Sequence, residues 1–143
     1  MPFIYQERTV QQLRNNYNRR VTENTNGFEN FNDFHNWFLG QDLVCNYCGL
    51  TESEMQEISM TGILNSKRFP QNGIVGRGTN RAVWLEVDRI IPNQLYSRNN
   101  CVLSCYFCNN DKSDVFSGEL YRNFFENRVG FLRQLLNENR ETE

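Results

Sequence analysis

Apolar residues recur along this chain at two periods, and each period marks an element. Over residues 9–22, Val10, Leu13, Tyr17 and Val21 fall at helical spacing. Phe28, Phe31, Phe34, Trp37 and Phe38 give residues 28–39 the pattern of a short helix with an aromatic face. Thr51 and Glu54 form a T-x-x-E capping box that opens a third helix, with Met55 and Ile58 on its inner face. Residues 65–81, with three Gly and one Pro, read as a loop. "RAVWLEV" at 81–87 and "CVLSC" at 101–105 read as strands, and a short helix is expected from about Asn109. The segment 117–139 carries Leu120, Tyr121, Phe124, Phe125, Val129, Leu132, Leu135 and Leu136 and predicts a long amphipathic helix. Ordinary core packing accounts for all these stripes.

Composition sharpens this picture. At 143 residues one domain is expected. Only 38% of residues are hydrophobic, and 11 Phe make the core one of large rings. A chain so lean in aliphatics is expected to need a metal or a partner subunit for stability. The 15 basic and 17 acidic residues leave a net charge of −2, which by itself counts against a nucleic-acid binder. Asparagine makes up 21 residues; it can read adenine edges, but an AT-rich gene is the more economical source of such a bias. No stretch approaches the length of a membrane span, and "MPFIYQERTV" lacks a signal-peptide core, so no membrane and a cytoplasmic protein are expected.

In a reducing compartment cysteines are metal ligands before they are disulfides. Cys45-x-x-Cys48 and Cys105-x-x-Cys108 are two knuckles separated by 56 residues. Two residues between thiols let both point at one ion while backbone amides face the sulfurs. Four thiolates close a tetrahedral structural Zn²⁺ site with no open position, and its binding energy is folding energy. A redox dithiol is the alternative, but the βαβ context it usually has is missing. Cys101, on an apolar strand, reads as a small buried hydrophobe.

The segments "CNYCGL", "LEVDRIIP" and "NCVLSCYFCNNDKSD" together resemble the HNH nuclease superfamily. That family's pattern is a CxxC, a strand ending in Asp-His, a loop, an Asn before a second strand, and a CxxC-Asn/His running into a helix. The likeness spans about 70 residues, Cys45 to Asp114, and is greatest to a small rare-cutting type II restriction endonuclease of that superfamily. It implies an α+β fold: a ββα-metal (HNH) core with one four-cysteine zinc site, surrounded by helices. Within a single domain, 1–44 would be a helical N-terminal part, 45–116 the zinc-stapled core and 117–143 the C-terminal helix. A second CxxC pair of knuckles near the N-terminus is missing, so one zinc site is expected, and the likeness does not reach the N-terminal part.

By the same resemblance, Asp88 would ligate a catalytic Mg²⁺ or Mn²⁺ with Asn109 as its partner, and Asn100 would brace the loop between the strands. From the residues alone, Asp88 reads as a strand-end turn residue and Asn109 as a helix N-cap. Glu86 shares a strand face with Asp88; it either assists the metal or pairs with an arginine. The departure is Arg89, where the family has its histidine base. Arginine stays protonated, so it can clamp the scissile phosphate but cannot activate water. The base then falls to His35, the one histidine, if its helix packs beside the core; to Tyr96 or Tyr47; or to water alone.

Double-stranded DNA is the implied partner. The loop 65–81, with Lys67, Arg68, Arg77 and Arg81 and no acid, reads as the one sizeable basic stretch. Arg98 and Lys112 flank the site and are expected on phosphates. The last helix could support a homodimer, which a palindromic site favours. The reading is a metal-dependent endonuclease, most concretely a type II restriction enzyme with a displaced base. A phage or mobile-element nicking or homing enzyme, or an inactive zinc-stapled binding module, are the alternatives.

Overall fold

Two threonines open helices here by the same device. In the computed structural model, Thr9 and Thr51 each accept a hydrogen bond from the backbone amide three residues on. The side-chain oxygens of Gln12 and Glu54 in turn accept one from the backbone N–H of the cap residue. They start α1 (Val10–Thr22) and α3 (Glu52–Met60), while the Asn30 side chain caps α2 (Phe31–Leu39). The structure describes residues 3–75, 80–112, 115, 117, 118, 121 and 128–142, with the side chains of 128 and 129 excepted. After a 3₁₀ turn at Gln71–Gly73 come β1 (Glu86–Arg89), β2 (Cys101–Ser104), α4 (Tyr106–Lys112) and α5 (Arg128–Glu141). Among the described residues no helix is long and apolar enough to cross a membrane.

The two strands pair antiparallel in the register Glu86↔Ser104, Val87↔Leu103, Asp88↔Val102 and Arg89↔Cys101, and α4 packs on β1. The first strand starts later than the alternation suggests. Ala82 takes φ 61°, in the left-handed region, which breaks an extended run. Its carbonyl accepts from Ser59 Oγ at 2.7 Å, and Arg81 N–H donates to the Arg68 carbonyl at 2.8 Å, so 81–84 is a turn docked on α3. The last short helix starts earlier than expected. The second knuckle is itself its first turn: Asn109 N–H donates to the Cys105 carbonyl at 3.0 Å, which puts Asn109 in the helix body, not at an N-cap.

Tyr17, Phe28, Phe31, Phe34 and Trp37 form one ring cluster between α1 and α2, with centroids 5.3–6.3 Å apart. The apolar stripe of α1 is narrower than its sequence implies. Leu13, Tyr17 and Arg20 are buried, whereas Val10 and Val21 are 51% and 47% exposed. At 3.6 residues per turn both valines lie roughly 60–80° around the helix from Leu13, at its two ends. Of the predicted C-terminal helix, Leu120, Phe124 and Phe125 and the Val129 side chain lie outside the described residues. Leu132 and Leu136 are buried, and α5 docks on α3 with Arg133 and Arg140 forking onto Glu54 and Glu57.

The loop between the strands is tied to the N-terminal helices. Tyr96 N–H donates to the Thr25 carbonyl at 2.9 Å, and Gly27 N–H donates back to the Tyr96 carbonyl at 2.6 Å. That approach requires glycine, because a Cβ at position 27 would lie 2.8 Å from the Tyr96 oxygen.

Candidate active site

The two knuckles converge. Asn46 N–H donates to the Leu103 carbonyl, which lays the first knuckle along β2, and Gly49 at φ 80° turns the chain back. The sulfurs of Cys45, Cys48, Cys105 and Cys108 all lie within 4.8 Å of one another and can hold one metal ion. Zinc–thiolate bonds of about 2.3 Å at tetrahedral angles separate sulfurs by about 3.8 Å. The Cys48–Cys105 separation is 3.8 Å. Leu50 N–H faces the Cys48 sulfur and Cys108 N–H the Cys105 sulfur, so amide dipoles offset thiolate charge as a metal knuckle needs. Cys101 stands apart on β2; burial pushes its thiol up to about 12, so it is inert.

Beside this cluster lies a cavity of about 280 Å³ walled by Arg81, Asp88, Arg89, Tyr96, Asn109 and Lys112. The strand pairing delivers Asp88 to its floor, 6% exposed. Tyr47, from the first knuckle, donates its hydroxyl to Asp88 Oδ2 at 2.8 Å. Burial raises the Asp88 carboxyl above its ordinary value, against the opposing pull of Tyr47 and Lys112. Asn109 donates its amide to Glu86, leaving its carbonyl oxygen as an acceptor. Arg89 reaches the Gln94 carbonyl and lies over the Tyr96 ring at 4.7 Å; Arg20 lies over the same ring at 4.9 Å. Asn100 braces the β1–β2 loop at three points. Its Oδ1 accepts from Ile91 N–H, and its amide donates to the Ile91 and Leu95 carbonyls.

Several residues stand elsewhere than the sequence suggests. Lys112 is 1% exposed; its ammonium lies 3.3 Å from Asp88 Oδ2 and donates to the Arg89 carbonyl at 2.9 Å. It is the internal counter-ion of Asp88, not a surface phosphate contact. Glu86 is bound by both arms of Arg81, which takes the arginine-pairing option over metal assistance. Arg98 pairs with Asp33 on α2, and Arg68 donates to the Tyr106 hydroxyl. Lys67 is exposed beside the 3₁₀ turn, and Arg77 lies outside the described residues. His35 stacks on Phe31 at 5.3 Å and is not among the residues that wall the Asp88 cavity.

The sequence reading missed α1. Arg8, Arg14, Arg19 and Arg20 make 8–22 a second basic stretch without an acid, so the loop 65–81 is not the one such stretch. The signal was in the sequence but was absorbed into the reading of 9–22 as core.

The oxygen donors of Asp88 and the Asn109 amide suit a hard cation, and the four sulfurs suit a soft one. No protein-family model matches the chain, and no curated protein matches it. Among solved structures, it is similar to the rare-cutting HNH restriction endonuclease PacI. The TM-score is 0.58 at 22% identity, over 80% of this chain and 72% of that one. The likeness is one of fold: mixed helix and strand with an HNH-like neighbour.

Proposed function

We propose that this chain is a metal-dependent endonuclease that hydrolyses phosphodiester bonds in double-stranded DNA, built on a ββα-metal core stapled by one structural Zn²⁺. The observation that carries this reading is the cavity that gathers Asp88, Arg89, Tyr96 and Asn109 beside the four-cysteine cluster. The fold likeness to an HNH restriction endonuclease supports it. A Mg²⁺ or Mn²⁺ held by Asp88 and Asn109 would supply charge stabilisation at the leaving oxygen.

The chain's own groups do the rest. Tyr47 fixes the Asp88 carboxylate through its hydroxyl. The Arg89 guanidinium, propped on Tyr96, offers forked donors to the scissile phosphate. Tyr96 takes the role of proton acceptor ahead of His35, because it lines the cavity and His35 does not. Asn100, bonded to the Ile91 and Leu95 carbonyls, holds the loop that carries Tyr96. A palindromic target, the kind a sequence-specific type II enzyme cuts, matches a two-fold homodimer with one site for each strand.

The buried Asp88–Lys112 pair favours one competing reading, a zinc-stapled module that binds DNA without cutting it. Here the carboxylate already has its cation. Asp88→Ala decides between them: zinc content and circular dichroism are retained while Mg²⁺-supported cleavage falls by at least about a thousandfold, as for loss of a metal ligand. Equal behaviour of variant and wild type sinks the endonuclease reading. Tyr96→Phe should cost far more activity than His35→Ala; the reverse order moves the base to His35.

A further inference from the structure

A second cleft, of about 560 Å³, opens from the Asp88 cavity, sharing Arg81, Tyr96 and Asn109 with it. One wall is α1, which presents Gln12, Asn15, Asn16 and Arg19 at i, i+3, i+4 and i+7, a single helical face. Nothing in the mechanism above uses this face.

Its chemistry is specific. The 13 residues of α1 include five amides (Gln11, Gln12, Asn15, Asn16, Asn18) and three arginines, with no carboxylate. That is unlike the chain as a whole, whose net charge is −2. Around the cleft, Arg19 pairs with Glu23 and Arg81 with Glu86. Two further arginines, Arg8 and Arg20, line it and form no ion pair among the described residues. Arg20 is 94% buried by its 6% exposure, and its Nη1 has no hydrogen-bond acceptor; Arg8 Nε is a second such buried donor. Buried donors of this kind ordinarily find partners, so the site is built for an acceptor that the chain itself does not provide. The Asn16 side chain is half-buried in the same wall and makes no hydrogen bond to a described residue.

We infer that α1 is the sequence-reading wall of the DNA site. The polynucleotide strand leaving the scissile phosphate runs into this cleft, with Arg19 and Arg20 on its phosphates and the α1 amides, Asn16 foremost, on base edges. Asparagine and glutamine pair with adenine through both N6 and N7, so the bases read are chiefly adenines. A helix of 13 residues is roughly 20 Å long, enough to follow several base steps. This inference rests on the reading of the chain as a DNA endonuclease.

The test uses the full-length, zinc-loaded protein without Mg²⁺ or Mn²⁺, so that binding is measured apart from cutting. Duplexes are selected from a random-sequence pool, sequenced, and titrated by fluorescence anisotropy over a range of salt. Asn16→Ala should lose selection at one or more adenine positions and bind the selected duplex roughly tenfold or more weakly, with little change on the unselected pool. Arg19→Ala, whose side chain is 66% exposed and so dispensable for folding, should weaken both alike and lower the salt slope by about one. Gln11→Ala and Asn18→Ala, which do not line the cleft, should bind as wild type does. Wild-type selection and affinity in both Asn16→Ala and Arg19→Ala overturn the inference. If they keep wild-type binding while the wild type still cleaves DNA, the endonuclease reading survives alone. A wild type that neither binds nor cuts DNA ends both.

Discussion

Asp88 and Lys112 form a buried ion pair at the end of a strand, a costly arrangement unless it serves a purpose. Removing one partner leaves the other charge stranded, so Asp88→Asn or Lys112→Met alone should each cost about 3–5 kcal/mol by chemical denaturation. The double variant should cost well under the sum; additive losses would show that the two groups do not interact. Because burial raises the Asp88 carboxyl, it stays protonated to a higher pH than an ordinary aspartate. Only the ionised form serves a metal, so proton and metal compete for it: activity should fall as pH drops, and the acid limb of cleavage should move to lower pH as the Mg²⁺ concentration is raised. An acid limb that does not move with Mg²⁺ would mean that Asp88 does not hold the ion. At this scale the sequence was informative where chemistry is local. The Cys-x-x-Cys spacing declares itself. The pairing of Lys112 with a carboxylate 24 residues away does not, because long-range partners leave no mark in spacing.

The elements position these residues through a few contacts. Thr51 and Glu54 were readable as a capping box because its donors and acceptors lie within one turn, and the structure has both bonds. Thr51→Ala should cost about 1 kcal/mol in denaturant titration, and no loss would mean the cap is not formed. The first strand was placed too early because Ala82 adopts a backbone conformation that its residue type does not announce. Asn109 was read as a helix start because the second knuckle was not seen to be the helix's first turn. Gly27 is the joint between the α1–α2 connection and the β1–β2 loop. Gly27→Ala puts a Cβ against a backbone oxygen, which cannot swing away as a side chain would. It should destabilise by about 1–3 kcal/mol and cut cleavage by more than the unfolded fraction explains, since the loop carries Tyr96. Unchanged activity would mean that the position of the loop does not matter to the site.

Over the whole molecule, one core runs from the aromatic cluster at α1 and α2 to Leu50, Met55, Ile58, Leu85 and Leu103 around the four-cysteine cluster. A zinc held by four thiolates lends its binding energy to folding, so on the proposed reading zinc removal by chelation should abolish the folded signal of the strands and α4, with recovery on adding Zn²⁺ back. A melting curve unchanged by chelation would remove the staple from the account. The resemblance carried Asp88, Asn100 and Asn109 from sequence toward the site, while the part of the chain it did not reach supplies α1, one wall of the cleft that was missed. The most direct test of the central claim is digestion of methylation-free plasmid and phage DNA by the zinc-loaded protein, with Mg²⁺, with Mn²⁺ and with neither. The account predicts discrete fragments with either metal, none without, and none from Asp88→Ala. A folded, zinc-bound wild type that leaves every DNA intact under all conditions would contradict it.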